Sequence, residues 1–305
     1  MAGTRWPLGL SSFVLASPFS DRDVGLFAKV KRWGYDLVEV CVEDPAGLTA
    51  SVVHGAADSE GLSVLVCGAF GSERDVSHED KAQRARGRGY LLQCIEFAAA
   101  VGSPLVSGPM YAPTGQARLL DPDARKAQFD RAVETLSDVA ATAASAGVRL
   151  AIEPLNRFET DLVNTVEQGL ALCAGIGADN VGLMLDTFHM NIEEKSLPEA
   201  ITLAGKRLFN FQVSENDRGT PGSGHIDWAA SFRALRDTGY PGCVVVESFL
   251  PTVKEIARAV SLWRPVAPSM DALAADSVSF LAALLERAEQ PIAAYDGPMP
   301  EVSRS

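Results

Sequence analysis

Short apolar runs and longer amphipathic runs alternate along this chain almost from end to end. LGLSSF (8–13), YDLVEVCV (35–42), LSVLVCGAF (62–70) and SPLVSGP (103–109) are short and largely apolar. VRLAIEP (148–154), VGLMLDT (181–187), RLFNFQV (207–213) and GCVVVES (242–248) continue the series. Nearly continuous apolar runs of this length, bounded by turn residues, suit parallel strands covered on both faces. Helical patterns fill the intervals at 21–34, 48–60, about 79–101, about 122–146, about 165–176, around 198–205, around 228–237 and around 270–288. Gly34, Gly61 and Gly102 close the first three, as expected where a helix ends on a left-handed residue. Eight strand–helix repeats predict the α/β class and a single-domain (β/α)8 TIM barrel. A doubly wound open sheet would want a glycine-rich phosphate turn after an early strand, and no GxGxxG stands there. The barrel is expected to occupy 1–289, with QPIAAYDGPMPEVSRS (290–305) as a polar, proline-interrupted surface tail.

With 305 residues, 47% hydrophobic, the chain has ample material for one large core. A net charge of -12 without a Lys/Arg cluster tells against nucleic acid or an anionic membrane surface as partner. A small neutral ligand or a metal cation suits this balance. KAQRARGRG and ARKAQFDRA read as solvated helix faces, and His54 and His78 lie by helices and carry no role. The five cysteines are scattered without CxxC spacing, mostly inside apolar runs, as for buried thiols in a reducing compartment. TRWPLGLSSFVLASP has only a faint signal-peptide character, broken by Ser11 and Ser12, and serves better as a first strand. No stretch has the apolar length of a membrane span, so the cytoplasm is the expected location.

The chemistry gathers where the later strands end. Strands five to eight finish on Glu153, Asp186, Gln212 and Glu247. In a closed barrel these ends converge on the face that carries the active site. Three converging carboxylates repel one another unless a cation sits among them, and oxygen donors with a neutral amide suit Mn2+, Mg2+ or Co2+. A single strand-end acid would more simply cap the following helix. Four polar ends in register on consecutive strands favour ligation. The loops that follow add Glu159 after the fifth strand, His189 after the sixth and Arg218 after the seventh, as candidate contacts to a substrate.

EPLNRFET, LDTFHMNIEE, FQVSENDRG and VVVESF make the pattern specific. Over roughly residues 8–288 the sequence resembles the D-tagatose 3-epimerase/D-psicose 3-epimerase family of xylose-isomerase-like barrels. The resemblance implies a divalent-metal ketose epimerase, an enzyme of carbohydrate metabolism. It implies Glu153, Asp186 and Glu247 as metal ligands, with Mn2+ as the expected ion. Glu153 and Glu247 would also form the acid/base pair at the sugar C3, and Glu159, His189 and Arg218 would contact the C1–C3 end of the open chain. The family's fourth ligand is a histidine, and Gln212 stands in that position: neutral like histidine, but a harder donor.

The expected reaction removes a proton beside a carbonyl. A metal chelating the C2 carbonyl oxygen and C3 hydroxyl would acidify that C–H and hold an enediolate, and two carboxylates on opposite faces would invert C3. Loss of a β-substituent would instead make a dehydratase or a lyase of 3-keto-glycosides, C-glycosides included. Return of the proton at another carbon would make an aldose–ketose or hydroxypyruvate-type isomerase. A sugar-binding subunit without catalysis is the alternative of a different class, and a homo-oligomer, dimer or tetramer, is the expected assembly.

Overall fold

The computed structural model describes residues 5–288; the tail expected at 290–305 lies outside the described residues. The first half of the chain runs through β1 (Leu8–Ser11), α1 (Phe27–Trp33), β2 (Leu37–Val42), α2 (Ala50–Glu60), β3 (Ser63–Gly68), α3 (Lys81–Val101), β4 (Leu105–Gly108) and α4 (Pro122–Ser145). The second half supplies β5 (Arg149–Ile152), α5 (Val166–Ile176), β6 (Val181–Asp186), α6 (Thr187–Glu193), α7 (Leu197–Ala204) and β7 (Leu208–Val213). It ends with α8 (Trp228–Asp237), β8 (Val244–Val246), α9 (Lys254–Ala259) and α10 (Met270–Ala288). The eight strands close into one barrel in sequence order, β8 pairing with β1 in parallel. The expected barrel is therefore present. Each strand is shorter than its apolar run at one end or both, and α6 and α9 are additions the hydrophobic pattern did not predict.

Packing divides into two regions. Outward-facing strand residues such as Leu10, Val40, Val66, Val106, Ile152 and Leu183 join the helices in one large core. Inside the barrel, Leu37, Leu65, Leu105, Ala151, Met184 and Val245 form a second, smaller cluster. A barrel interior is usually filled by branched apolar side chains. Here a polar layer lies above that cluster: Glu39, Ser107, Asn210 and Gln212 are all 0% exposed and joined by hydrogen bonds.

A break in strand register decides which β7 residues enter that layer. Leu183 pairs with Leu208, but its neighbour Met184 pairs with Asn210, so Phe209 is an extra residue on β7. An extra residue of this kind shifts the alternation of all that follow. Leu208, Phe211 and Val213 accordingly face the helices, while Phe209 packs against the interior cluster and Asn210 and Gln212 point inward. Gly182 on β6 makes the bulge fit: a Cβ there would lie 2.4 Å from the Arg207 carbonyl oxygen and 2.7 Å from the Phe209 ring.

Candidate functional site

Glu153 and Glu247 follow β5 and β8 directly, and each is tied by its backbone N–H to the neighbouring strand, at Gly108 O and Val213 O, both 3.1 Å. Asp186 ends β6, and its register partner Gln212 is the last residue but one of β7. Helix capping accounts for only one of the four. Asp186 Oδ1 accepts from Phe188 N at 2.8 Å and caps α6, whereas α5 and α8 are capped by Thr165 and Asp227. The other Asp186 oxygen, Oδ2, takes a hydrogen bond from Arg218.

Arg218 sits at the centre of the group. Its Nη1 also reaches Glu247 Oε2 at 3.1 Å, and its guanidinium lies over the Phe188 ring, 4.2 Å from the centroid. The residue adopts φ 68, and Ser248 Oγ donates to its carbonyl oxygen at 2.7 Å. A left-handed arginine costs backbone energy that this packed loop must offset. Burial opposes the charge on Arg218, but the surrounding carboxylates outweigh it and raise its pKa.

The loop after β5 holds His189, which lies on α6 rather than in a loop, in one tautomer. Asn156 N donates to His189 Nδ1 at 3.1 Å, and a backbone N–H can only donate. Burial lowers the His189 pKa, with Arg218 adding to that direction, so the ring is neutral and its proton sits on Nε2. Nε2 lies 2.9 Å from Arg218 Nη2 and 3.6 Å from Glu153 Oε1. Both His189 Nε2–H and Arg218 Nη2–H are donors, so each needs an acceptor other than the other. Asn156 Nδ2, in turn, donates to Glu159 Oε1 at 2.8 Å, which fixes that carboxylate beside the ring.

Electrostatics split the carboxylates. Burial raises Glu153 well above the usual carboxylate range, and Glu247 and Asp186 add repulsion. Burial likewise raises Glu247, against the pull of Arg218. Burial pushes Asp186 up too, but the Arg218 charge and the hydrogen bond from Phe188 N prevail and its pKa is lowered. When ionised, the three carry three negative charges against the one positive charge of Arg218, an excess of two.

Five of the seven residues singled out in the sequence, Glu153, Glu159, His189, Arg218 and Glu247, line one cavity of about 260 Å³. Its other wall is apolar, with Phe13, Phe70, Phe249, Ile256 and Val260. Asp186 and Gln212 do not line the cavity; both are buried, at 1% and 0% exposure. Glu153, Asp186 and His189 place donor atoms within 4.8 Å of one another, a group that could hold a metal ion. Glu247 joins them through Arg218. Gln212 Oε1 is buried without a hydrogen-bond partner, an expensive state for an amide oxygen unless a cation satisfies it. Hard oxygen donors, the excess of two negative charges and this oxygen together fit a divalent cation.

Two contributors escaped the sequence reading. Asn156 orients His189 and Glu159, and nothing in LNRFE distinguishes it from an ordinary loop asparagine. Glu39 lies in the interior layer, and burial pushes it up to about 7. Its signal was visible as the one acid within LVEVCV. All five cysteines are free and buried, and no helix among the described residues is long and apolar enough to cross a membrane.

The xylose isomerase-like TIM barrel family matches residues 27–283. The chain is 34% identical to L-ribulose 3-epimerase of Mesorhizobium japonicum, over 93% of this chain and 95% of that one. It is 33% identical to D-psicose 3-epimerase of Agrobacterium fabrum, over 80% and 85% respectively. A solved L-ribulose 3-epimerase structure superposes with TM-score 0.89 at 33% identity, covering 96% of this chain and all of that one. Matched along nearly its whole length in sequence and in shape, the chain belongs to the xylose isomerase-like TIM barrel family, among its ketose 3-epimerases of the isomerase class.

Proposed function

We propose that the chain is a divalent-metal-dependent ketose 3-epimerase in which Glu153 and Glu247 exchange the proton on C3. The carrying observation is that these two carboxylates, raised in pKa by burial, flank one cavity from β5 and β8. Glu153, Asp186, Gln212 and Glu247 would hold the metal, with Mn2+ as the expected ion. When bound, it supplies positive charge for the carboxylates and Lewis acidity for the substrate's oxygens.

The protein groups do the rest. One glutamate takes the C3 proton and the other returns a proton to the opposite face, which inverts the carbon. The neutral His189 donates from Nε2 to the oxygen where charge develops, and Arg218 donates beside it. Glu159, held by Asn156, accepts from a hydroxyl near the C1 end. The apolar wall excludes water from the far end of the sugar.

The expected site of action is the cytoplasm, and the expected assembly a dimer or tetramer, measurable by light scattering. A panel of ketoses in D2O with Mn2+ tests the reaction. Deuterium at C3 together with the C3 epimer is the expected result. Elimination products, or exchange at another carbon only, would replace this reading.

A further inference from the structure

We propose that Glu39 is a positioning residue for the metal site: it fixes the Gln212 side chain so that the amide oxygen, and not the nitrogen, is available to the cation. The inference rests on the metal reading above and concerns a residue outside the cavity.

An amide side chain is nearly symmetric in shape, so packing alone barely distinguishes its oxygen from its nitrogen. Only the hydrogen-bonding character of its neighbours can. An amide nitrogen turned toward a cation would be repelled, because NH2 has no acceptor capacity. A histidine ligand needs one protonated ring nitrogen held elsewhere; a glutamine ligand needs its whole NH2 group held elsewhere.

The interior layer supplies that hold. Gln212 Nε2 donates to Glu39 Oε2 at 2.5 Å, with both residues 0% exposed. Glu39 is itself fixed through its other oxygen, which accepts from Asn210 Nδ2 at 2.8 Å and Ser107 Oγ at 3.2 Å. Donors from β4 and β7 thus converge on one β2 carboxylate. With its nitrogen committed to Glu39, Gln212 retains only Oε1, the buried oxygen without a protein partner. The bulge at Phe209 turns Asn210 and Gln212 to the same side, so one register shift builds both the ligand and part of its support.

Glu39→Gln tests this with little change of shape. An amide at position 39 can donate as well as accept, so it no longer dictates which end of Gln212 faces the metal. Metal-stripped wild type, Glu39→Gln, Gln212→Ala and the double variant would be titrated calorimetrically with Mn2+ and with Co2+. Thermal unfolding of each metal-free protein is recorded alongside. The expected result is a loss of about 10–100-fold in affinity for each single variant, the scale found when the support of a ligand is removed. The double variant should bind no more weakly than Gln212→Ala, because Glu39 acts through Gln212. A purely structural role would lower the metal-free unfolding temperature and give losses that add. Glu39→Asp, which keeps the charge but withdraws it from Gln212, should show the same affinity loss if the glutamine variant folds poorly. Wild-type affinity in Glu39→Gln, or additive losses in the double variant, overturns the positioning role and leaves the metal reading standing. Absence of stoichiometric metal binding by wild type overturns both.

Discussion

Strands β3 and β4 end in glycine, Gly68 and Gly108, whereas Glu153, Asp186, Gln212 and Glu247 stand at the ends of β5 to β8. The glycines let main chains approach closely: a Cβ on Gly108, at φ +126, would lie 2.9 Å from Gly68 O. Bare strand ends leave room above them, and the apolar lining of the cavity comes from Phe70 after β3, Phe13 after β1 and Phe249 in the segment after β8. One half of the mouth therefore supplies charge and the other supplies a low-polarity wall. The two depend on each other, because charges interact more strongly where water is excluded. The polar half should set the rate of proton transfer, and the apolar half should set how well the far end of a sugar is held.

That division breaks first, and hardest, at Glu153 and Glu247. Glu153→Gln and Glu247→Gln keep an oxygen donor but remove the base, and each should lower kcat by about 10²–10⁴-fold. Metal content measured on the same samples separates lost chemistry from lost metal. Turnover at the wild-type rate in either variant would remove the asymmetry between the halves.

A weaker effect should follow pH. The folded values of Glu153, Glu247 and Glu39 lie above the ordinary glutamate value of about 4.3. Above that pH these three acids hold protons that the unfolded chain has lost, so stability falls as pH rises toward their folded values; His189, lowered by burial, acts the other way but is one group against three. Asp186 is shifted the other way and acts only in more acidic solution. The metal-free protein should therefore unfold at a lower temperature at pH 8 than at pH 5. Mn2+, which requires deprotonated carboxylates, should bind more tightly as pH rises and offset that loss. Calorimetric scans with and without metal read both trends. A metal-free protein more stable at pH 8 would contradict the burial of these acids.

The smallest change belongs to the apolar wall. Ile256 is half-buried on α9 and lines the cavity. Ile256→Ala should reduce kcat/KM about fivefold, through roughly 1 kcal/mol of lost contact, with kcat little altered. Steady-state kinetics decide it; a fall confined to kcat would place α9 with the catalytic half.

The barrel and the strand-end acids were legible because both follow from periodicity: apolar runs fix the strands, and a carboxylate at the end of such a run is conspicuous. Short elements were not legible. Thr187–Glu193 begins immediately after the last residue of β6, with Asp186 as both strand end and cap, so no turn residue announces a helix. Lys254–Ala259 is six residues long, too short for a helical period to register. The company of Gln212 favours a ligand at the barrel mouth, but what turns it inward, the extra residue at Phe209, leaves no mark in an apolar run. Glu39 is conspicuous in the sequence but uninformative there, because a single acid in a strand has no partner until the barrel closes and brings β7 across to β2.

The bulge at Phe209 also gives β7 a parity. Removing one residue there would leave an equally apolar strand, yet Asn210 and Gln212 would exchange places with residues that now face the helices. Two amides would be driven into the outer core, and Phe211 and Val213 would turn toward the barrel axis. For anyone transplanting this site into another barrel, Phe209 and the glycine opposite it, Gly182, belong to the graft as much as the ligands do.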